Sequence, residues 1–497
     1  MQTVGVVGAG AMGRGIAQVA AVAGLDVLLF DARTDAPAAA KAAIGESLAR
    51  QVERGRMTAD AADAAVGRIA CAARLEELKA ADLVIEAIVE DLAAKQAVFR
   101  QLEAIVADSA VLASNTSSLS ITAIAAACER PERVAGLHFF NPVPAMQLVE
   151  VVPGLATEER VVEALLTLAG RIGKRAVRVG DTPGFLVNHV SRGYGPEALR
   201  ILSESIATAP DIDAIMRACG FRMGPIELLD LTGMDVSLPV MEQIYRDYYE
   251  EPSYRPSLIA RRHLAAGFLG RKSGRGFYEY AEGKKIVPPG ASRPAGSPGP
   301  IWIDPQACNA EALSRRFSDA GAEIDESDAP SSAATCVVAP LGRDATTTAV
   351  ALSLDARRVV AVDTLLGGAS PLAVMRTPLT EPERAAGIAR MLGTSDAPLP
   401  VINDSPGFVA QRILAMIVNV ACGVAQQRIA APPEIDLGAR LGLAYPKGPL
   451  EWGDEIGASR IVEILDALYD AYRDPRYRAS IWLRRRAQLG VSLLTLD

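Results

Sequence analysis

Residues 3–13 read TVGVVGAGAMG, and residues 26–31 read DVLLFD. The first run is a short apolar strand that breaks into Gly8-Ala9-Gly10-Ala11-Met12-Gly13, and a stretch with helical spacing follows. Gly8 suits a tight turn, Gly10 lets a pyrophosphate approach the backbone, and Gly13 lets strand and helix pack closely. The helix N-terminus then offers its unpaired N–H groups to the phosphates. Asp31 closes the second strand 18 residues after Gly13, where an acid binds ribose hydroxyls and repels a 2′-phosphate. The pattern predicts a dinucleotide site that takes NAD rather than NADP, with neighbouring Arg33 the one feature against it. A glycine turn without a ligand is the plain alternative.

Outward from this loop, strand-like runs (26–30, 82–87, 110–114, 133–139, 146–152) alternate with charged, alanine-rich stretches at helical period. Alternation of this kind predicts an α/β, Rossmann-like domain over 1–182 with a mostly parallel sheet. Strand signals vanish over 183–286, which reads as all-helical. Residues 287–300, VPPGASRPAGSPGP, read as a linker. Beyond it the chain echoes itself. Asp181-Thr-Pro-Gly-Phe185 returns as Asp404-Ser-Pro-Gly-Phe408, and Gly224-Pro225-Ile-Glu227 as Gly448-Pro449-Leu-Glu451, at separations of 223 and 224 residues. The helical domain is therefore expected twice, the second time over 404–497, with 301–403 a degenerate partial α/β repeat.

Composition narrows the function classes. Of 497 residues, 50% are hydrophobic and 22% charged, which excludes intrinsic disorder. The net charge of −8 leaves no basic surface of the size nucleic acid demands. Six scattered cysteines suggest neither a disulfide framework nor a metal site, and fit the cytoplasm. No export signal is read at the N-terminus. The best apolar run, Leu414–Ala425, is too short to span a bilayer, so no membrane partner is expected. His138, His189 and His263 are the only histidines, a short list of bases.

Three further motifs carry chemistry. Ser114-Asn115-Thr116-Ser117-Ser118 follows a strand, so it should lie at the carboxyl edge of the sheet, where α/β folds bind ligands. It reads equally as a helix cap through Ser117 or Ser118. His138 ends a strand, two prolines reverse the chain, and Glu150 returns on the next strand. If the strands pair, Glu150 fixes the imidazole tautomer and leaves one nitrogen to take a proton. Asp181 or Thr182 caps a helix begun by Pro183, and Asn188 follows, as a buried amide or one aimed at the site. In the second copy Asp363 stands where His138 would be, Gln411 replaces Asn188, and no glutamate occurs near 373–375. The repeat keeps a scaffold without the reactive groups.

Together GAGAMGRGIA (8–17), IEAIVEDLAAK (85–95), ASNTSSLSI (113–121), LHFFNPVPAMQLVEVV (137–152), DTPGFLVN (181–188), MGPIELLDLTGMD (223–235) and GRKSGRGFYEY (270–280) resemble the 3-hydroxyacyl-CoA dehydrogenase family. The duplicated tail, with LGLAYPKGPLEWGD (441–454), is similar to its long bacterial form, associated with phenylacetate catabolism and beta-oxidation. The resemblance implies an oxidoreductase converting (S)-3-hydroxyacyl-CoA to 3-ketoacyl-CoA with NAD, on a short-chain substrate such as 3-hydroxybutyryl-CoA or a dicarboxylic one such as 3-hydroxyadipyl-CoA. It implies catalytic roles for Ser117, His138, Glu150 and Asn188. It implies NAD contacts at Gly8–Gly13, Asp31, Glu90, Lys95, Asn115, Ser117, Asn141 and Lys272. Ser47, Arg54, Ser117 and Asn141 would meet the acyl-CoA. No metal is implied. The chain departs from the family at His189, where arginine is common, and at Arg54, where lysine is. Arg192, Arg217 and Arg222 are candidates to meet an adipyl carboxylate but are read as solvated.

The second helical repeat would replace a dimer partner within one chain, although a homo-oligomer stays open. Two competing readings remain. One is a 6-phosphogluconate-like dehydrogenase, for which Lys174 is the available catalytic lysine. The other is a silent NAD-binding structural protein.

Overall fold

The computed structural model describes residues 1–286, 297–368, 370–394 and 398–496. Most of the expected linker, 287–296, lies outside the described residues. The chain forms two compact units, Met1–His189 with Gln427–Leu443, and Val190–Gln426 with Ala444–Asp497. One helix of the second helical repeat is thus built into the first unit, and the remainder of that repeat shares the second unit with the first repeat.

The first unit is built on eight strands: β1 (Thr3–Val7), β2 (Asp26–Phe30), β3 (Ile69–Cys71), β4 (Leu83–Glu86), β5 (Val111–Ser114), β6 (Val134–Phe139), β7 (Leu148–Pro153) and β8 (Arg175–Arg178), in the order β3-β2-β1-β4-β5-β6-β7-β8. All neighbours are parallel except β6 and β7. The central strands β4, β5 and β6 are buried along their whole length, which is why they read as continuous apolar runs instead of alternating ones. Strand order reverses between β1 and β4, and the crevice there, at the carboxyl ends of the strands, is where such sheets bind ligands. Short β3 and β8 gave no clear signal in the sequence. Helix Pro432–Gly442 lies against this unit through glycine. A Cβ on Gly438 would come within 2.6 Å of Leu186 Cδ2, and one on Gly442 within 2.8 Å of Val187 Cγ2.

The second unit holds a five-stranded sheet (Ile301–Ile303, Thr335–Val338, Val359–Val362, Val374–Arg376, Val401–Ile402) with an antiparallel pair in the same place as β6 and β7. Its strands follow the order of β4–β8. The short stretch between Lys285 and Ile301 has no room for β1–β3, which span residues 3–71 in the first copy. The repeat therefore begins after the glycine loop and the Asp31 strand. Residues 183–286 are not wholly helical, since Tyr280–Ala281 and Lys284–Lys285 form a small hairpin. Helix Val409–Gln426 is long and apolar enough to cross a membrane, longer than the Leu414–Ala425 run, and 89% of that window is buried in the protein.

The repeated D-x-P-G-F motif has a structural cause. Asp181 does not cap a helix of its own segment. It accepts bonds from Ile121 N (2.9 Å), Thr122 N (2.7 Å) and Ser120 Oγ (2.8 Å), and so caps helix Ile121–Ala125. Asp404 does the same for helix Ala345–Ala351, accepting from Ala345 N (2.8 Å) and Thr346 N (3.2 Å). Left-handed backbone recurs at equivalent places too: Gly184 and Gly407, Ser205 and Arg428, Tyr249 and Arg473.

Candidate active site

The three glycines of the first loop answer to different constraints. Gly8 has φ +104°, and a Cβ there would lie 2.5 Å from Ala87 O. A Cβ on Gly13 would lie 1.7 Å from Gly8 O, so helix and strand meet only through glycine. Nothing lies within 4 Å of a Cβ on Gly10. The protein itself does not need glycine there, but a pyrophosphate brought against the backbone does. Helix Ala11–Val22 starts at that point with no acidic residue in its first turn to compete for an anion.

Asp31 Oδ2 accepts Ala9 N (2.8 Å) and Oδ1 accepts Arg33 N (2.9 Å). Burial pushes its carboxyl up, but the bonds from Ala9 and Arg33 outweigh this and hold it below its ordinary value. The acid stays ionised beside the loop. Arg33, 72% exposed, is paired with it. The residues present fit a dinucleotide.

Behind the loops after β4 and β5 is a polar chain that the sequence reading missed in part. Glu86, at the end of β4, is fully buried. It binds Lys95 Nζ (2.6 Å), Ile88 N (2.6 Å) and Ser114 Oγ (2.6 Å). Lys95, 1% exposed, also reaches Glu90 Oε2 (3.3 Å). Glu90 Oε1 then gathers Thr116 Oγ1 (2.7 Å), Ser117 N (2.9 Å), Ser117 Oγ (3.3 Å) and Ser118 N (3.1 Å). Burial pushes Glu90 up, and the Thr116 hydroxyl and Lys95 ammonium bring it net below its ordinary value. Lys95 therefore stands behind Glu90, facing Glu86. An acid closing the apolar run DLVIE was the available signal for Glu86. Ser120, not Ser117 or Ser118, caps the next helix by accepting from Ala123 N (3.2 Å), which leaves Ser117 to the loop.

The antiparallel register sets His138 opposite Glu150. His138 Nδ1 and Glu150 Oε2 are 2.6 Å apart, and the two residues are 5% and 0% exposed. The second carboxylate oxygen accepts Val187 N (2.9 Å) and Leu186 N (3.1 Å), so Glu150 holds the imidazole with one oxygen and the start of helix Val187–Val190 with the other. Phe140 and Phe185 flank the ring at 4.5 and 5.8 Å. With Nδ1 committed to the carboxylate, Nε2 remains for proton exchange. Asn115 Oδ1 accepts Phe139 N (2.9 Å), tying the end of β5 to that of β6.

The other expected residues fall as follows. Asn188 is the second residue of helix Val187–Val190, half-buried. Asn141 is exposed just after β6. Ser47 is half-buried on helix Ala36–Glu53, and Arg54 is exposed at its end. Lys272 belongs to the second unit, where it pairs with Asp235 (2.6 Å). Lys174 donates to Val143 O (2.7 Å) and Met146 O (2.6 Å), so it is committed to the turn after β6 and unsuited to catalysis. Of the three arginines read as solvated, Arg222 is exposed, Arg217 pairs with Glu227, and Arg192 is buried.

At the matching place in the repeat, Asp363 N binds Ala373 O (3.0 Å), so alanine faces the residue that replaces histidine. Asp363 Oδ1 accepts Gln411 Nε2 (3.1 Å), its Oδ2 is buried without a partner, and burial pushes the carboxyl up to about 6. Gln411 Oε1 accepts Gly342 N (2.8 Å), and a Cβ on Gly342 would lie 2.9 Å from Ile464 Cα. Helix Ala458–Tyr472 is seated directly on this loop.

Known proteins agree with this division. The NAD binding domain of 3-hydroxyacyl-CoA dehydrogenase matches residues 3–182, and the C-terminal domain of 3-hydroxyacyl-CoA dehydrogenase matches twice, over 184–280 and 407–492. The chain belongs to the 3-hydroxyacyl-CoA dehydrogenase family. It is similar to a 3-hydroxyadipyl-CoA dehydrogenase of Escherichia coli (strain K12), 40% identical over 492 residues and 98% of each chain. It is also similar to a probable 3-hydroxybutyryl-CoA dehydrogenase of Bacillus subtilis (strain 168), 45% identical over 278 residues, which covers 56% of this chain and 96% of the relative. A crystal structure of a 3-hydroxybutyryl-CoA dehydrogenase from Escherichia coli K12 superposes with a TM-score of 0.84 at 37% identity, covering 98% of each chain. The dehydrogenase is an NAD-dependent oxidoreductase of 3-hydroxyacyl-CoA thioesters.

Proposed function

We propose that His138 is the general base of this dehydrogenase and Glu150 the group that positions it. The observation that carries the reading is the 2.6 Å contact of Nδ1 with a carboxylate whose other oxygen is held by two backbone amides. Nε2 takes the proton of the 3-hydroxyl group, and Glu150 balances the charge that the imidazole gains. When bound, NAD accepts the hydride released from C3. Ser117 and Asn188 hold the substrate oxygen in line, so much of the acceleration comes from positioning. In the reverse direction His138 returns the proton to the ketone oxygen. Glycines 8, 10 and 13, Asp31 and Asn115 hold the dinucleotide, with Asn141 completing its contacts. Glu90 and Lys95 shape the serine loop, while Ser47 and Arg54 meet the coenzyme A moiety. The test is oxidation of 3-hydroxyacyl-CoA by wild type and by His138→Gln, with NAD binding measured separately. Equal turnover in the two rules out the assignment.

The acyl group is read as short or dicarboxylic. The E. coli relative that spans the whole chain is called a 3-hydroxyadipyl-CoA dehydrogenase, and the shorter relatives 3-hydroxybutyryl-CoA dehydrogenases. Rates on those two thioesters separate the choices. Six free thiols, Cys71 and Cys308 among them exposed, favour the reducing cytoplasm. We also propose that the second helical repeat (404–497) stands in for a partner subunit, and that 301–403 is a relic of the sheet domain. Reciprocal contacts between the copies, described next, support this. Removing residues after 300 should expose apolar surface and cause self-association.

A further inference from the structure

Gly180 N donates to Ile429 O (2.7 Å), and Asn403 N donates to Ile206 O (2.8 Å). Each bond is the other with both residues moved to the opposite copy. In the second unit Phe221 and Tyr445, themselves equivalent positions, have ring centroids 5.1 Å apart. A Cβ on Gly193 would come within 2.6 Å of Ile417 Cα, so the two copies meet there backbone to backbone. Reciprocal contacts of this sort are the mark of an isologous pairing, the geometry of a symmetric dimer.

The charges do not obey that symmetry. Arg412, fully buried on helix Val409–Gln426, binds Glu197 Oε1 (2.8 Å from Nε) and Glu204 Oε2 (2.9 Å from Nη1). It also binds the hydroxyls of Tyr477 (2.9 Å) and Tyr472 (3.0 Å). Glu197 is 1% exposed, and Arg476 stands 3.5 Å from its other oxygen. Among the described residues both cations beside Glu197 come from the second repeat. The two tyrosines have counterparts in the first repeat, Tyr254 and Tyr248, but the charged residues do not. The positions matching Arg412 and Arg476 hold His189 and Ser253, and those matching Glu197 and Glu204 hold Val420 and Gln427. Arg200 of the first repeat pairs with Asp474 of the second (2.7 Å).

We propose that Arg412 selects the partner of the first helical repeat: its guanidinium makes that surface accept the second repeat of the same chain and refuse a second copy of itself. Two first repeats brought together would bury Glu197 from each side with only the shorter imidazole of His189 opposite, which lacks a guanidinium's reach and fork of donors. Two second repeats would bury two arginines facing Val420. A buried charge left without its partner is strongly destabilising. The mixed pairing alone is neutralised. The proposal rests on the reading that the second repeat fills a partner's place.

The test uses two full-length variants, Glu197→Lys and Arg412→Glu, expressed separately and then together with different tags. Alone, each should lose the wild-type monomer peak in size-exclusion chromatography with light scattering, and any folded fraction should melt about 10 °C lower. Together they should co-purify as a 1:1 pair that recovers dehydrogenase activity, because each chain then supplies the charge the other lacks. Variants that run alone as monomers with wild-type melting, or a co-expressed pair that recovers nothing, overturn the selection by charge while leaving the internal pairing intact. A wild-type chain that itself runs as a dimer overturns the internal pairing, and the proposal with it.

Discussion

At the end of β6 an imidazole is held by an acid on β7. At the equivalent place in the repeat, a lone carboxylate faces an alanine and leans on a glutamine. The two sites share strand order, the antiparallel pair and an aspartate that caps a helix earlier in the chain. They differ in what a reaction needs, a base with a fixed tautomer and a nucleotide loop on neighbouring strands. Duplication has preserved the contacts that fold the chain and given up those that perform chemistry. What the two sites share is therefore structural, and what only one keeps marks the reaction.

The largest effect should come from His138→Gln in the working site. Turnover falls by about 10²–10⁴ while NAD affinity measured by fluorescence stays near wild type. Glu150→Gln falls by on the order of 10² and loosens the start of helix Val187–Val190, visible as faster amide exchange at Leu186 and Val187.

The silent site offers a stability test. The Asp363 carboxyl is raised from 3.8 to about 6 by burial, so the fold favours its protonated form. That contribution is complete below about pH 4 and is lost as pH rises through about 6, a difference of about 3 kcal/mol. Asp363→Asn should remove the slope and make the protein more resistant to urea at pH 8 without changing activity. A stability profile indistinguishable from wild type would contradict the burial argument.

Gly10→Ala separates ligand from scaffold: melting without NAD stays unchanged, but NAD binds about tenfold more weakly, or 1.4 kcal/mol. The smallest effect, none at all, is expected when Asp363→His and Ala373→Glu are added to His138→Gln. Among the described residues the repeat has no counterpart of β1–β3, so turnover does not return. Any recovery would mean that the two copies are closer in capacity than their sheets suggest.

Much of this was legible in the sequence, because strong local rules agreed with the fold. The glycine loop, Asp31, and the strand-reversal-strand run that pairs His138 with Glu150 all depend on neighbours in the chain. The 223-residue echo exposed the repeat for the same reason. What escaped depended on distant partners. Asp181 looked like a cap for its own helix but serves one some 60 residues earlier. Glu86 is a polar group inside an apolar shell, and only the pairing of β4 with β5 joins it to Ser114. Arg192 looks like a surface charge until packing buries it.

Helix Pro432–Gly442 rests on Leu186 and Val187, whose amides hold Glu150. The support beneath the acid therefore comes from residues made long after the strands that carry the site. A nascent chain that has released its whole Rossmann sheet from the ribosome still lacks the brace behind its histidine. A stop codon anywhere before residue 443 removes that brace, however complete the N-terminal motifs look on paper.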